Sequence, residues 1–535
     1  MRLRPLLLFS LAGVAVIAGQ TAAVADTNPQ AVDATHNVMS APAPDTSAQF
    51  GTAPKARPGV PFCTTTTSAA ANVNTDCSQD TIGPHNETSI AVNPKDPLNM
   101  IGGANDYQLA LNTVGKLSEI IQSQAHVTFD GGKTWSDFPL LTNSAYQATG
   151  DPAVAFDSSG HAYYATLGFR FVSSTNVSNA DVVVSNSGDG GRTWSEVVVQ
   201  PGSGILTSPG NSLDKEFLTA WGNGNAIVTW TNFLQAQKGN LVSVTTHSSV
   251  THDGGQTWSE QNTISGAFTS SDFTTPKMTA DGRLFTSFIN TPAGSTTGRD
   301  DLEIAELSPS TGALIGGPTK IATVFDGSTD YPIAFGRQTY QDSVFRNGDP
   351  FSLAVDPTNG AHMAVVWSDM RNSTLPAPTD PYKAKTNSDV IVSQSSDHGG
   401  TWSSPTALTI ANDQFMPWGT YDTTGHLRIG FFDRQYDPAN HQFGYSLATE
   451  ITHGSLSFNV TQVTTALSDP TTGDRWFGRT VNANFPHATA FMGDYSGIAA
   501  TPDGGVVALW TDFRQAASFA GISRSGEDAF FAKVA

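Results

Sequence analysis

The chain reads as an all-β protein: a β-propeller of four-stranded antiparallel blades closed by an N-terminal strand, with seven blades the first choice and six the alternative. Three observations predict this. A turn motif, Ser/Thr-x-Asp-x-Gly-x-Thr-Trp, recurs as TFDGGKTW (Thr128–Trp135), SGDGGRTW (Ser187–Trp194) and THDGGQTW (Thr251–Trp258), with a fourth copy, SSDHGGTW (Ser395–Trp402), read as shifted. An apolar strand, a Gly/Asn/Asp turn and a second strand recur seven times, over 88–106, 151–169, 215–232, 273–290, 351–371, 416–434 and 495–514. Composition agrees: 50 Gly and 30 Pro with only 14% charged residues suit short strands joined by tight turns. Repetition at about 60 residues marks a ring of β-units, each burying its faces against its neighbours.

Taken in order, Arg2, Arg4 and the apolar Leu6–Ala18, followed by Ala23-Val24-Ala25, have the form of a bacterial-type secretory signal over residues 1–25. The chain is therefore expected to be secreted. No other stretch approaches the roughly 20 apolar residues of a membrane span. Residues 26–84 are rich in Ala, Thr, Pro and Ser and read as a linker, pinned by a disulfide between Cys63 and Cys77. The propeller is expected over 85–535. Motif aspartates at 130, 189, 253 and 397 leave gaps of 59, 64 and 144, so one unit without the motif lies in the last gap. LSPSTGAL (Leu307–Leu314) sits where its turn belongs. The last unit leaves room for one more strand after WTDFR, DAFFAKV (Asp528–Val534), so its fourth strand is expected from the segment before Glu87.

The motif itself is scaffold. Asp130, Asp189, Asp253 and Asp397 can accept backbone N–H bonds within the turn, glycine tolerates positive φ, and Trp135, Trp194, Trp258 and Trp402 can pack between blades. The pattern resembles the Asp-box (BNR repeat) of the sialidase (neuraminidase) superfamily over roughly 85–535, and most closely the secreted bacterial sialidase-like proteins with HNE, DKE and GDY at blade starts. The resemblance implies the propeller. It does not fix an activity, because lyases, other glycosidases and non-enzymatic receptors share the motif.

Parity then locates the functional face. The Asp-box lies in the third turn of each meander, so residues before the first strand and after the second lie at the opposite end. Before the first strand come Glu87, Asp151, Asp214-Lys215-Glu216, Asp349 and Asp494; after the second come Asp106, Arg170, Asn232, Asp369, Arg371, Asp433, Arg434, Asp512 and Arg514. Paired carboxylic acids suit glycoside hydrolysis, and Arg presents a planar fork to carboxylates. By residue type, the resemblance implies Asp151, Glu216, Asp494 and Tyr495 as catalytic groups and Glu87, Arg371, Arg434 and Arg514 as substrate-binding groups. A structural ring of Asp–Arg pairs would look the same. The chain departs from the family in lacking its Arg-Ile-Pro-like motif and any Arg between Arg57 and Arg170.

The expected function is thus an exo-glycosidase of the exo-α-sialidase-like kind, removing a terminal, acidic sugar from an extracellular glycan or polysaccharide. The alternatives are a non-catalytic glycan- or protein-binding propeller and a polysaccharide lyase acting on uronates. A net charge of −20 without a Lys/Arg run argues against nucleic acid, and a monomer is expected. No metal is expected. HExxH is absent and no cofactor is required; the Asp-rich Ser468–Arg475 could supply oxygen ligands to calcium, but it matches no EF-hand spacing and a solvated loop is the better reading there.

Overall fold

The computed structural model describes residues 59–77, 84–111, 117–138, 140, 146–170, 172, 178–205, 209–236, 241–295, 298–327, 329–334, 337–348, 350–375, 380–471, 491–519 and 522–535. Residues 1–25, expected as a signal, residues 26–58 and 78–83 of the expected linker, Asp349 and the end of the 468–475 stretch lie outside them.

Seven antiparallel sheets follow one another along the chain. Their strands are called A to D in chain order. Blade 1 comprises His85–Val92, Met100–Leu111, Leu117–Thr128 and Ser136–Phe138, and blade 2 Ala148–Phe156, Ala162–Phe169, Asp181–Ser187 and Ser195–Gln200. Blade 3 is Gly210–Trp221, Asn225–Gln235, Leu241–Thr251 and Asn262–Thr263; blade 4 is Ser271–Met278, Leu284–Asn290, Asp301–Leu307 and Leu314–Thr323. Blade 5 is Phe351–Val355, Met363–Asp369, Asp389–Ser395 and Thr406–Ala407; blade 6 is Gln414–Tyr421, Leu427–Asp433, Gly444–Glu450 and Phe458–Gln462. Blade 7 takes Gly497–Ala500, Val506–Asp512 and Asp528–Val534 from the C-terminal end, and its outermost strand, Val73–Asn74, from the N-terminal segment. Two hairpins were not anticipated: Ile333–Ala334 with Arg337–Gln338, and Ala516–Phe519 with Ile522–Ser525.

Strand A of each blade touches strand A of the next, and blade 7 meets blade 1 in the same way. The A strands therefore surround the axis. Strands B and C are buried along their whole length in blade 2, while its D strand alternates between half-buried and exposed. Burial on both faces follows from blades stacking on each other, and explains the near-continuous apolar runs. Closure is double. Val73 and Asn74 pair with Phe531 and Phe530 of blade 7, and Cys63–Thr64 pairs with Ser136–Asp137 at the edge of blade 1. The Cys63–Cys77 disulfide joins these two arms across the seam.

The Asp-boxes sit in the C–D turns. In blade 1, Asp130 Oδ1 accepts the backbone N–H groups of Lys133 (3.0 Å) and Thr134 (2.9 Å), and Oδ2 accepts the Thr134 hydroxyl (2.7 Å). The Trp135 indole N–H donates to the Gly132 carbonyl, and its ring meets Phe531 of blade 7 edge-on at 5.1 Å. The same bonds recur at Asp189 and Asp253. The copy at Ser395–Trp402 is not shifted: Asp397 accepts Thr401 N–H and hydroxyl in the same register. His398, with φ 61°, stands where the other copies place Gly131, Gly190 and Gly254 at φ 75–78°. LSPSTGAL forms the C–D turn of blade 4.

Candidate functional site

The site is built on a repeated irregularity of strand A. In blades 1, 2, 3, 4 and 6 the A–B register slips: between Asn86 and Ser89, Gly150 and Ala153, Asp214 and Phe217, Asp272 and Thr274, and Phe415 and Trp418. Each slip holds a residue in the left-handed region: Glu87 (φ 54°), Asp151 (58°), Lys215 (53°), Phe273 (54°) and Met416 (49°). Blade 7 uses Gly493 (φ 89°) just ahead of Asp494. Such backbone costs about 1–3 kcal/mol per non-glycine residue. A β-bulge re-aims a side chain out of the alternation of the strand, and here the re-aimed charges meet.

The Lys215 ammonium is the hub. It pairs closely with Asp494, and lies 3.7 Å from Asp151 Oδ2 and 3.9 Å from Glu87 Oε1. Arg346 grips Asp494 with two nitrogens, its Nε donating to Oδ1 at 2.6 Å, and lies 3.9 Å from Glu87 Oε1. Asn105, midway along strand B of blade 1, donates to Glu87 Oε2 (2.7 Å) and accepts the Asp151 backbone N–H (2.8 Å). Carboxylates from blades 1, 2 and 7 thus converge on one lysine of blade 3. All are buried. Yet Glu87 Oε1 and both carboxylate oxygens of Asp151 and of Glu216 make no hydrogen bond.

Environment splits these acids. Burial, then the neighbouring Asp151, pushes the Glu87 and Glu216 carboxyls well above the usual range. Burial would also raise Asp494, but Arg346 and Lys215 outweigh it and hold Asp494 ionised. Burial would lower Lys215, but the carboxylates around it, Asp494 first, keep it charged. Arg337, on the unforeseen hairpin, is pulled down to about 9 by burial and by the like charge of Arg346. A protonated acid beside an ionised one is the pattern that separates acid from base in a catalytic site.

Tyr495 lies beside this cluster with a different contact set. Its hydroxyl donates to the Pro152 carbonyl (3.3 Å), and its ring packs against Phe217 (5.1 Å) and Trp418 (6.1 Å). Burial, then Glu87, keeps the phenol neutral. No hydrogen bond among the described residues joins it to Glu216. The three arginines expected to grip substrate are committed to separate partners. Asp369 accepts from Arg371 and from the Trp367 indole (2.8 Å), and Asp512 accepts from Arg514 and from the Trp510 indole (3.0 Å). Each Trp-x-Asp-x-Arg run is therefore a clamp at the end of strand B. Arg434 is fully buried on Asp413, the Gln341 and Asn440 carbonyls and the Ser343 hydroxyl. None of the three shares a described partner with Glu87, Asp151 or Asp494.

Sequence reasoning missed Arg346 altogether and gave Lys215 and Asn105 no role. Arg346 stands in VFRNGDP, five residues ahead of strand A of blade 5, just beyond the positions parity singled out. On the same face, between blades 5 and 6, a cavity of about 430 Å³ is lined by Gln341, Asn372, Lys385, Thr386, Asn387 and Asn412.

No family profile and no curated protein matches the chain. Solved propellers resemble it in structure. NanB sialidase from Streptococcus pneumoniae is 9% identical, over 89% of this chain and 99% of that one, with a TM-score of 0.42. The intramolecular trans-sialidase from Ruminococcus gnavus is 13% identical, over 87% and 98%, at 0.41. The α-L-arabinanase from Penicillium chrysogenum is 13% identical, over 75% and 98%, at 0.38. The fold assignment rests on the strand pairing above and not on these overlaps.

Proposed function

We propose that the protein is a sialidase-like glycoside hydrolase whose acid and base are drawn from the carboxylates around Lys215. One observation carries this reading: Glu87, Asp151 and Glu216 keep carboxylate oxygens buried without a hydrogen-bond partner. A scaffold network has no use for them, since each such group costs about 1–3 kcal/mol, and unsatisfied titratable groups concentrate at working sites. Glu87, fixed through Oε2 by Asn105 and held protonated, offers Oε1 as proton donor to a glycosidic oxygen. Asp151 supplies the second carboxylate. Lys215 and Arg346 keep Asp494 ionised and hold the cluster's charge in place. The acids lie below the surface, so a sugar reaches them only when the face above opens. A secreted protein acting on an extracellular glycan is the setting this reading requires.

Purified protein is assayed on sialosides, arabinan oligosaccharides and uronic-acid polymers, beside Glu87→Gln and Asp151→Asn. Hydrolysis of one class, reduced about 10²–10⁴-fold in either variant, supports the proposal. Unsaturated products would identify a lyase instead. The amide- and hydroxyl-lined cavity between blades 5 and 6 favours a second reading, glycan binding without turnover. Glycan retention with no hydrolysis of any substrate would establish it.

A further inference from the structure

We propose that Asp76, His85 and Asp528 bind one divalent transition-metal ion, of the zinc or manganese type, that ties the N-terminal segment to the seam between blades 7 and 1. The three residues come from separate parts of the chain. Asp76 follows the closing strand Val73–Asn74, His85 opens strand A of blade 1, and Asp528 opens strand C of blade 7. One ligand atom from each lies within 4.8 Å of the others, so a small inward shift of the side chains would bring all three to the bonds of about 2.0–2.2 Å that such an ion makes.

A second observation points to a ligand. Asp528 is fully buried and neither of its carboxylate oxygens makes a hydrogen bond; His85 is 1% exposed and neither ring nitrogen makes one. Protein interiors rarely leave such groups unanswered, because an ionised carboxylate out of water needs a cation or donors. The wider surroundings supply few. Asn74 lies beside Asp528 and favours its ionised form, giving one amide N–H to Gln515 Oε1 at 3.0 Å. Asp106 Oδ1 stands 3.4 Å from His85 Nε2, placed to orient the ring as carboxylates do behind metal-bound histidines. Elsewhere, the group Asp356, His362 and His453 is satisfied internally, both rings bonding Asp356 Oδ2 at 3.3 and 2.7 Å. An imidazole with two carboxylates suits zinc or manganese; calcium prefers six to eight oxygens.

The ion would act as a staple. It would join the N-terminal arm to both blades that it bridges, next to the Cys63–Cys77 disulfide and two residues from Glu87.

The full chain is stripped with EDTA and offered Zn²⁺, Mn²⁺, Co²⁺ or Ca²⁺, beside Asp528→Asn and His85→Gln. The expected result is one Zn²⁺ or Mn²⁺ bound per chain, a Tm raised by several degrees on rebinding, and neither effect in the variants. Co²⁺ should give ligand-field absorption bands that His85→Gln abolishes. Wild-type protein that takes up no transition metal, that responds to Ca²⁺ alone, or whose bound metal survives Asp528→Asn overturns the proposal. If the variants do not fold, metal content and Tm of the stripped and reloaded wild type decide it.

Discussion

Lys215 shows how one residue organises the site. It is buried among three carboxylates of other blades and is itself re-aimed by a bulge. Lys215→Met removes the cation and leaves Asp494 with Arg346 alone. A loss of about 3–5 kcal/mol is expected, the usual cost of breaking a buried pair from one side, read as a lower urea midpoint with an unchanged slope. The proposed acid also carries a pH signature. Glu87 and Glu216 are held protonated, their folded pKa lying above the unfolded value near 4.3. Their contribution to stability is complete below that value and declines as pH rises through the folded one. Activity should fall in the same direction as Glu87 ionises, and a pH–rate profile with no alkaline limb would speak against Glu87 as the acid. Glu87, Asp151, Glu216 and Asp494 were legible because an acidic residue at the head of an apolar run is visible in the sequence, although in blades 1, 2 and 3 strand A begins earlier and holds the acid within it. The bulge was not. Nothing in the sequence marks a glutamate or lysine that will take positive φ, and without the bulge the meeting of these charges cannot be foreseen.

The Asp-box was the most legible element, since its bonds are local and its residues are spaced within one turn. The structure corrected only the fourth copy, whose His398 adopts the left-handed conformation expected of glycine. In Asp397, backbone and side-chain bonds from Thr401 pull the carboxyl down to about 2; in Asp253, burial opposes the shift but the Thr257 and Thr251 bonds prevail, to about 2. Their stabilisation is present above the unfolded pKa near 4 and is lost as pH falls toward 2. Asp253→Asn and Asp397→Asn should therefore lower Tm at pH 6, with the difference from wild type vanishing near pH 2. A difference that persists at pH 2 would contradict the role of the ionised turn. Trp135, buried between blades 1 and 7, should cost about 3–5 kcal/mol on change to Ala. The two extra hairpins were not legible, because they belong to connections and repeat nothing.

At the scale of the molecule, seven strand pairs and a truncated last unit were enough to predict a closed ring with a borrowed strand. The borrowed strand is only two residues long, Val73–Asn74, too short to show a period of its own. Closure therefore depends on the disulfide as well. Changing Cys63 and Cys77 to Ser should reduce stability by about 3 kcal/mol, the value for a loop of this length, measured by denaturant unfolding. The arginine clamps show the opposite limit. Asp-x-Arg at a strand end looks the same whether it holds a ligand or a loop, and only the indole N–H on Asp369 and Asp512 reveals the clamp.

The most direct test of the Lys215 cluster as a catalytic centre joins two readouts on Asp151→Asn: kcat/KM on the responsive glycan, and the unfolding midpoint. The account predicts a fall in kcat/KM of about 10²-fold or more with only a small shift of the midpoint, because Asp151 makes no side-chain hydrogen bond to lose and Lys215, 3.7 Å from Asp151, keeps its closer partner Asp494. Full activity, or a collapse of stability that accounts for the lost activity, would contradict it.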